Sequence, residues 1–267
     1  SVTASYLSGS DGVVVNPAEP VLPLESLNVS VTDTVLRGVG FRGGQFMDVA
    51  DILPLTGAAT TEIRGVHPPF VSSVFYPMQP YQVNYFGQMV DGLNGAVQLN
   101  VTPAQFLSDN AGSLTGTLRQ FEALDFRLYY SDYIAQSQVT GYVPALAAPP
   151  AITQVQAFPG DDDVTFQVRV TGDPAVGIQE VWVTYTGSGA MTDLWQSIDL
   201  VQSENDSTVW SATLPLNGVP ADEVRFMVQA VNGVGLVGAA TNLGAYYNGA
   251  GTGEGDLLET AVSLQTP

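Results

Sequence analysis

Val164-Thr165-Phe166-Gln167-Val168-Arg169-Val170 places an apolar residue at every second position, with polar residues between. A period of two sends alternate side chains to opposite faces of a pleated chain, so the stretch predicts a half-buried β-strand. The alternation returns downstream at Val181, Val183 and Tyr185, set against Glu180, Trp182 and Thr184. It returns again at Phe226, Val228 and Ala230, after a turn at Pro220-Ala221-Asp222. Residues 152–157, 194–200, 208–214 and 236–247 complete seven short strands in about a hundred residues. Gly, Asp, Asn and Pro punctuate them at 160–163, 172–174, 187–189, 205–206, 217–218 and 232–233. This spacing predicts an immunoglobulin- or fibronectin-III-like sandwich over 151–247, with Trp182, Trp195 and Trp210 as large core anchors.

Residues 1–143 are also rich in strand patterns, at 12–15, 27–31, 35–41, 62–66, 72–76, 82–86, 96–101, 117–121 and 124–130. Proline- and glycine-bearing loops separate them, the longest at 48–59. Thr102-Pro103 has the form of a helix N-cap followed by a first-turn proline, which predicts a short helix over 102–107. Eight or nine strands suit a jelly-roll-like sandwich. Pro144-Ala145-Leu146-Ala147-Ala148-Pro149-Pro150 reads as a proline-marked linker (144–150), because small residues and prolines do not build a packed element. A glycine-rich stretch opens the C-terminal segment, 248–267. The expected fold is therefore all-β: two β-sandwich domains, N-terminal jelly-roll-like and C-terminal Ig/fibronectin-III-like.

The 267 residues are 45% hydrophobic and 12% charged, which suits a globular chain and excludes a disordered one. Cys and Lys are absent and there is a single His, so thiolate nucleophiles, Schiff-base lysines, thiolate zinc sites and multi-histidine centres are excluded. The seven basic residues are all Arg, against 26 Asp and Glu, for a net charge of −19. That balance argues against nucleic-acid binding, since a basic patch cannot form. No apolar run reaches the roughly 20 residues of a membrane helix. The chain starts Ser1-Val2-Thr3, without a charged n-region or an apolar h-region, so a signal peptide is expected to be absent or already removed. A Thr-, Ser- and Asn-rich, Lys-free surface suits an extracellular or cell-surface protein.

Arg37–Gly44 leads to Pro54-Leu55-Thr56-Gly57, to Thr61-Glu62-Ile63-Arg64-Gly65 and to Thr102–Phe106. Gly116-Thr117-Leu118-Arg119-Gln120-Phe121 and the following 124–130 strand then resemble a segment of the β-sandwich regions of large secreted bacterial peptidases, of gingipain-like or subtilisin-like type. The second half, from Pro150-Ala151-Ile152 through Gln229–Gly235 to Gly244-Ala245-Tyr246-Tyr247, is similar to the Ig-like modules appended to such proteins. A gingipain-like dyad needs Cys and His, and this chain has no Cys. The resemblance therefore implies an accessory region and not the peptidase.

Asp161-Asp162-Asp163 is the densest run of charge, and mutual repulsion leaves two readings: a solvated turn, or a calcium site built from hard oxygen ligands. His67, between Val66 and Pro68-Pro69, reads as part of an extended loop; a general-base role would need a nucleophile and an orienting carboxylate. Carboxylate pairs such as Asp48/Asp51 and Glu122/Asp125 read as solvated loop groups rather than a glycosidase pair. Tyr76, Tyr81, Tyr85 and Phe86, and likewise Tyr129, Tyr130 and Tyr133, suit cross-strand packing or a sugar-stacking platform. Asn28, Asn100 and Asn205 head glycosylation sequons. These features add up to a non-catalytic extracellular or cell-surface module, positioned beside neighbouring domains or subunits of a larger assembly. The alternatives are a self-assembling surface-layer or pilus-like subunit pairing through 256–267, a carbohydrate-binding module, and last a carboxylate hydrolase. No catalytic residue is expected, and no cofactor beyond calcium.

Overall fold

The structure, a computed structural model, describes residues 7, 9, 11–58, 69–86, 96–132 and 148–251. It is all-β, and its described residues fall into two compact units. The first holds the residues up to 132 together with 193–195 and 242–245; the second holds 148–192, 196–241 and 246–251.

In the first unit, β1 (Val13–Val14) and β2 (Leu22–Pro23) form a small antiparallel pair. They are followed by β3 (Glu25–Asn28), β4 (Thr34–Ile52), β5 (Tyr81–Phe86), β6 (Ala96–Val101), β7 (Ala104–Ser108) and β8 (Gly116–Asp132). Strand β6 lies between β3 and β5 in one sheet, and β8 lies between β4 and β7 in another. The long β4–β8 ribbon is antiparallel, with register shifts at Leu36/Gly38, Phe41/Gly43, Gln45/Phe46 and Val49/Ile52. Such bulges add twist and bend a ribbon too long to stay flat. Gly44 is required here, since a Cβ would lie 2.2 Å from the carbonyl oxygen of Ala123 on β8. Leu36 and Val39 of β4 pack with Val97, Leu99 and Val101 of β6 in one core; Leu22, Ala104, Phe106 and Leu118 form a second.

Several expectations change in this unit. The 48–59 loop starts later, because β4 runs on to Ile52, and the strands at 117–121 and 124–130 are one strand, β8. Residues 72–76 contribute one bridge, Tyr76 to Phe106, and 62–66 lie outside the described residues. The helix over 102–107 is instead strand β7. Ala104 and Phe106 are fully buried, and β7 pairs with β8 from Ala104↔Gln120 to Ser108↔Gly116. Pro103 is tolerated at the strand's start because only its carbonyl is used, accepting from Phe121 N–H at 3.0 Å. Burial of Phe106 outweighs a local helix-start signal.

The second unit contains β9 (Ala151–Pro159), β10 (Asp163–Thr171), β11 (Ile178–Thr186), β12 (Leu194–Asp199), β13 (Val201–Gln202), β14 (Val209–Pro215), β15 (Arg225–Asn232), β16 (Val237–Ala240) and β17 (Tyr247–Asn248). One sheet has the order β13-β14-β10-β9; in the other, β16, β15, β11 and β12 are successive neighbours and β17 pairs with β15. Val164, Phe166 and Val168 of β10 are wholly buried, as the opening alternation predicts, and meet Val181, Val183, Phe226 and Val228 in a shared core. The Phe166 and Phe226 rings lie 4.7 Å apart. Nine strands stand in place of seven. The 194–200 strand ends at Asp199 and the chain restarts as β13 against β14, while 236–247 divides into β16 and β17. Of the tryptophans, only Trp210 joins this core. Trp182 is fully buried on the opposite face of β11, and Trp195 belongs to the first unit, where it meets the Phe41 ring edge-on at 6.0 Å. The described end of the expected linker is fastened, with the Ala148 carbonyl accepting from Asn232 Nδ2 at 3.1 Å. The glycine-rich stretch also starts ordered, with Gly249 N–H donating to Val224.

One polar row organises the first unit. Asp48, Arg119 and Gln105 are register partners across β4, β8 and β7. Arg119 donates through Nε and Nη2 to both carboxylate oxygens of Asp48 at 2.9 Å, a bidentate pair. Its guanidinium lies 3.8 Å from the Phe46 ring centre and 4.0 Å from that of Phe75, with its side chain 9% exposed. Gln105, fully buried, donates from Nε2 to the carbonyls of Pro77 and Met78. The 75–79 loop is thus hung on this row by one ring and two hydrogen bonds. Asp48→Ala leaves a buried cation unpaired and is expected to cost about 3 kcal/mol. Arg119→Met keeps an apolar stem between the two rings and frees a carboxylate that is one-third exposed, so about half that loss is expected. Denaturant unfolding of the two variants checks the order.

Candidate functional site

A cavity of about 600 Å³ opens in the first unit. Such a volume lies within the roughly 300–1,000 Å³ of small-ligand sites. One wall comes from β1 and its continuation, Val14, Val15 and Asn16, with Pro20, Leu22 and Leu24; another comes from Tyr76, Pro77 and Gln79 of the loop hung on Gln105. The sheet side is Tyr81, Gln82 and Val83 of β5, Asn100 of β6, and Thr102. No Asp, Glu, Arg or His is among these residues. The polar groups are amides and hydroxyls, set between aliphatic walls.

The alternation of β5 and β6 explains this lining. Leu99, Val101, Tyr81 and Val83 pack into the core shared with β4, which turns Gln98, Asn100, Gln82 and Asn84 to the opposite face. Register then aligns them in cross-strand rows, Ser26–Asn100–Gln82 and Asn28–Gln98–Asn84. Asn28 Oδ1 accepts from Ser30 N–H at 3.0 Å. Asn100 Oδ1 is buried without a hydrogen-bond partner among the described residues.

Tyr76 is fastened at both ends. Its backbone exchanges two 2.8 Å hydrogen bonds with Phe106, and its hydroxyl donates to the Glu19 carboxylate. Burial, reinforced by that carboxylate, pushes its phenol up to about 12. Tyr81 is pushed up to about 12 by burial, with its hydroxyl donating to the Val39 carbonyl at 3.0 Å. Both phenols stay neutral through the physiological range.

The remaining tyrosines of the two clusters are packing residues. Tyr85 and Tyr130 donate to the carbonyls of Leu36 and Val29, and Tyr129 is buried. The Phe86 side chain and Tyr133 lie outside the described residues, as do His67 and the 256–267 segment. Of the carboxylate pairs, Asp48 is committed to Arg119. Asp161, Asp162 and Asp163 form the turn from β9 to β10. Asp162 Oδ1 accepts from Gly218 N–H at 3.0 Å, the Asp162 carbonyl accepts from Leu216 N–H, and the Asp163 carbonyl accepts from Gly160 N–H. Among the described residues, no group of three or more His, Asp or Glu side chains is placed to hold a metal ion. Asn28 and Asn205 are exposed, and Asn100 is half-buried at the cavity. Beside Asn205, hydrogen bonds from Thr208 and then Arg169 hold the Asp206 carboxyl below the usual carboxylate range. The cavity itself escapes sequence reading because its walls come from four separated segments, and of its lining only the Asn100 sequon and the aromatic residues Tyr76 and Tyr81 stand out in the sequence.

Neither a family model nor a curated protein matches the chain.

Two outcomes follow from this geometry. Tyr81 has a folded pKa above its unfolded value of 10.0, so its contribution to stability is complete below pH 10 and is lost as pH rises through about 12. Unfolding free energy should fall over that window, and less steeply in Tyr81→Phe; an unchanged slope would contradict the burial of this phenol. Asp162→Ala should lower stability by about 1 kcal/mol through loss of the Gly218 hydrogen bond. Melting with and without millimolar calcium separates the two readings of the turn: a calcium-dependent rise confined to the parent chain would assign an ion to it.

Proposed function

We propose that this chain is a non-catalytic extracellular or cell-surface interaction module of a larger secreted protein or assembly. The observation that carries the reading is the chemistry of the first unit's cavity. It is of ligand size, and the described residues lining it are amides, hydroxyls and aliphatic groups. General acid–base work needs groups whose pKa values stand near the working pH. The nearest titratable pair, Tyr76 and Glu19, is closed on itself, and the phenol is displaced upward, away from that range. Recognition of a bound molecule is what such a lining can do.

The Ig-like and jelly-roll-like descriptions of the two units belong to the same reading. The second unit has two antiparallel sheets around one apolar core, the arrangement of modules used for spacing and presentation. The accessory role beside a secreted peptidase, implied by the Gly116–Phe121 resemblance, is consistent with a region that binds without cutting. Among the described residues no helix is long and apolar enough to cross a membrane.

The purified chain should turn over none of a panel of peptide, ester and glycoside substrates. Turnover that disappears in Glu19→Gln or Tyr76→Phe would overturn the proposal and make the Tyr76–Glu19 pair catalytic.

A further inference from the structure

We infer that the first unit's cavity, with the amide rows of β5 and β6, is a binding site for a neutral oligosaccharide. The inference rests on the non-catalytic reading above and names its ligand. Gln82, Asn84, Gln98 and Asn100 occupy one face of two adjacent strands, in the register Gln82↔Asn100 and Asn84↔Gln98. Gln79 and Asn16 bring further amides to the cavity from two other segments. Each amide offers two donor hydrogens and a carbonyl with two lone pairs, and Thr102 brings a hydroxyl to the same cavity. A sugar hydroxyl is donor and acceptor together, so a surface of mixed donors and acceptors matches it at each position. A surface of carboxylates or guanidiniums matches only one half of that pattern.

Three further observations narrow the ligand. The described lining residues carry no charged side chain, the Glu19 carboxylate beside Tyr76 is negative, and the chain as a whole carries −19, so an anionic ligand would be desolvated without a counter-charge and repelled at long range. The aliphatic groups of Val14, Val15, Pro20, Leu22 and Pro77 give the cavity apolar walls, suited to the C–H face of a sugar ring. Asn100, half-buried on the central strand, keeps a buried Oδ1 with no partner among the described residues, a costly arrangement for a residue whose neighbours on β6 pack well. An extended peptide would instead pair with the backbone of edge strand β5 and would have no need of the amide side chains. The amides, and not the edge, are what the cavity assembles.

The tyrosines take a different part from the usual sugar-stacking one. Tyr81 turns its ring edge to Phe126 at 5.0 Å and Tyr76 lies 5.0 Å from Phe70, so both rings are built into the core. They shape the wall, and selectivity comes from hydrogen bonds.

The test uses the full chain against an array of neutral and acidic glycans, followed by calorimetry on the neutral oligosaccharides that score. Binding should be unchanged between low and high salt, because no ion pair forms. Gln82→Ala and Gln79→Ala change exposed side chains, leave melting unaltered, and should each weaken binding about tenfold. Asn100→Ala should weaken it further; because Asn100 is half-buried, the two exposed variants remain decisive should it misfold. Asn205→Ala, in the second unit, should leave binding unchanged. Amide chemical-shift changes should map to β5, β6 and residues 76–79. No neutral glycan bound at millimolar concentration would overturn the inference while leaving the non-catalytic reading intact, whereas glycan cleavage would overturn both. Affinity for acidic glycans alone, or binding indifferent to Gln82 and Gln79, would also overturn it, as would an extended peptide that binds with those variants unaffected.

Discussion

A guanidinium out of water must have its plane and its edge both satisfied, and Arg119 imposes that condition on the first unit. Its edge is met by Asp48 and its two faces by Phe46 and Phe75. Asp48 stands directly across the β4–β8 ribbon, so a one-residue slip would carry the carboxylate to the other face and leave the charge unpaired. Ribbons as long as β4 and β8 are prone to slippage, and four register shifts interrupt this one. The ion pair selects one register from the alternatives that apolar alternation leaves open. Gln105 extends the constraint to β7, and through Pro77 and Met78 to the cavity wall. Sheet register and cavity shape therefore have one physical cause.

The second unit is organised by a different principle. Its core residues come from both sheets and are apolar, from Val164, Phe166 and Val168 to Val224, Phe226 and Val228. Its polar pair, Arg169 with Asp206, is two-fifths exposed and fixes a turn rather than a register. Register here follows from alternation, since shifting β10 by one residue would exchange Phe166 for Gln167 in the core. Such a unit needs no buried charge to be unique, and its surface remains free of the geometric demands that a buried charge would impose.

That difference explains what could be read from the residues alone. Period-two alternation at 164–170 and 181–185 located β10 and β11 and the core side of each, because hydrophobic burial acts residue by residue along a strand. The all-β class followed from the same signal. The break at Asp199 is not legible, since a single Asp between Ile198 and Leu200-Val201 lacks the Gly, Pro or Asn cluster that marks the other turns. Thr102-Pro103 carried a local helix signal that the burial of Ala104 and Phe106 overrode. In the first half, Asp48 reads in sequence as a loop carboxylate and Arg119 as part of a resemblance. Nothing in their separation of 71 positions announces that they pair. The site is legible only in fragments: Asn100 heads a sequon and Tyr76 and Tyr81 stand in an aromatic cluster, while Gln79, Gln82 and Gln105 belong to no motif.

The amides acquire meaning only once the strands are paired. An isolated Gln or Asn on a strand's outer face is ordinary solvated surface, and a scatter of them would select nothing. Pairing β5 with β6 converts sequence positions 82, 84, 98 and 100 into a fixed two-by-two array, with spacings of about 5 Å across the ladder and about 7 Å along each strand. The 75–79 loop, held by Arg119 and Gln105, then encloses one end of that array beside Asn100 and Gln82. In a chain of net charge −19, the described lining residues bring no carboxylate of their own, which concentrates the neutral polar groups in one place. Discrimination there depends on the positions of hydrogen-bonding groups and not on charge, which is the form of selectivity that a rigid ladder can supply and a mobile loop cannot.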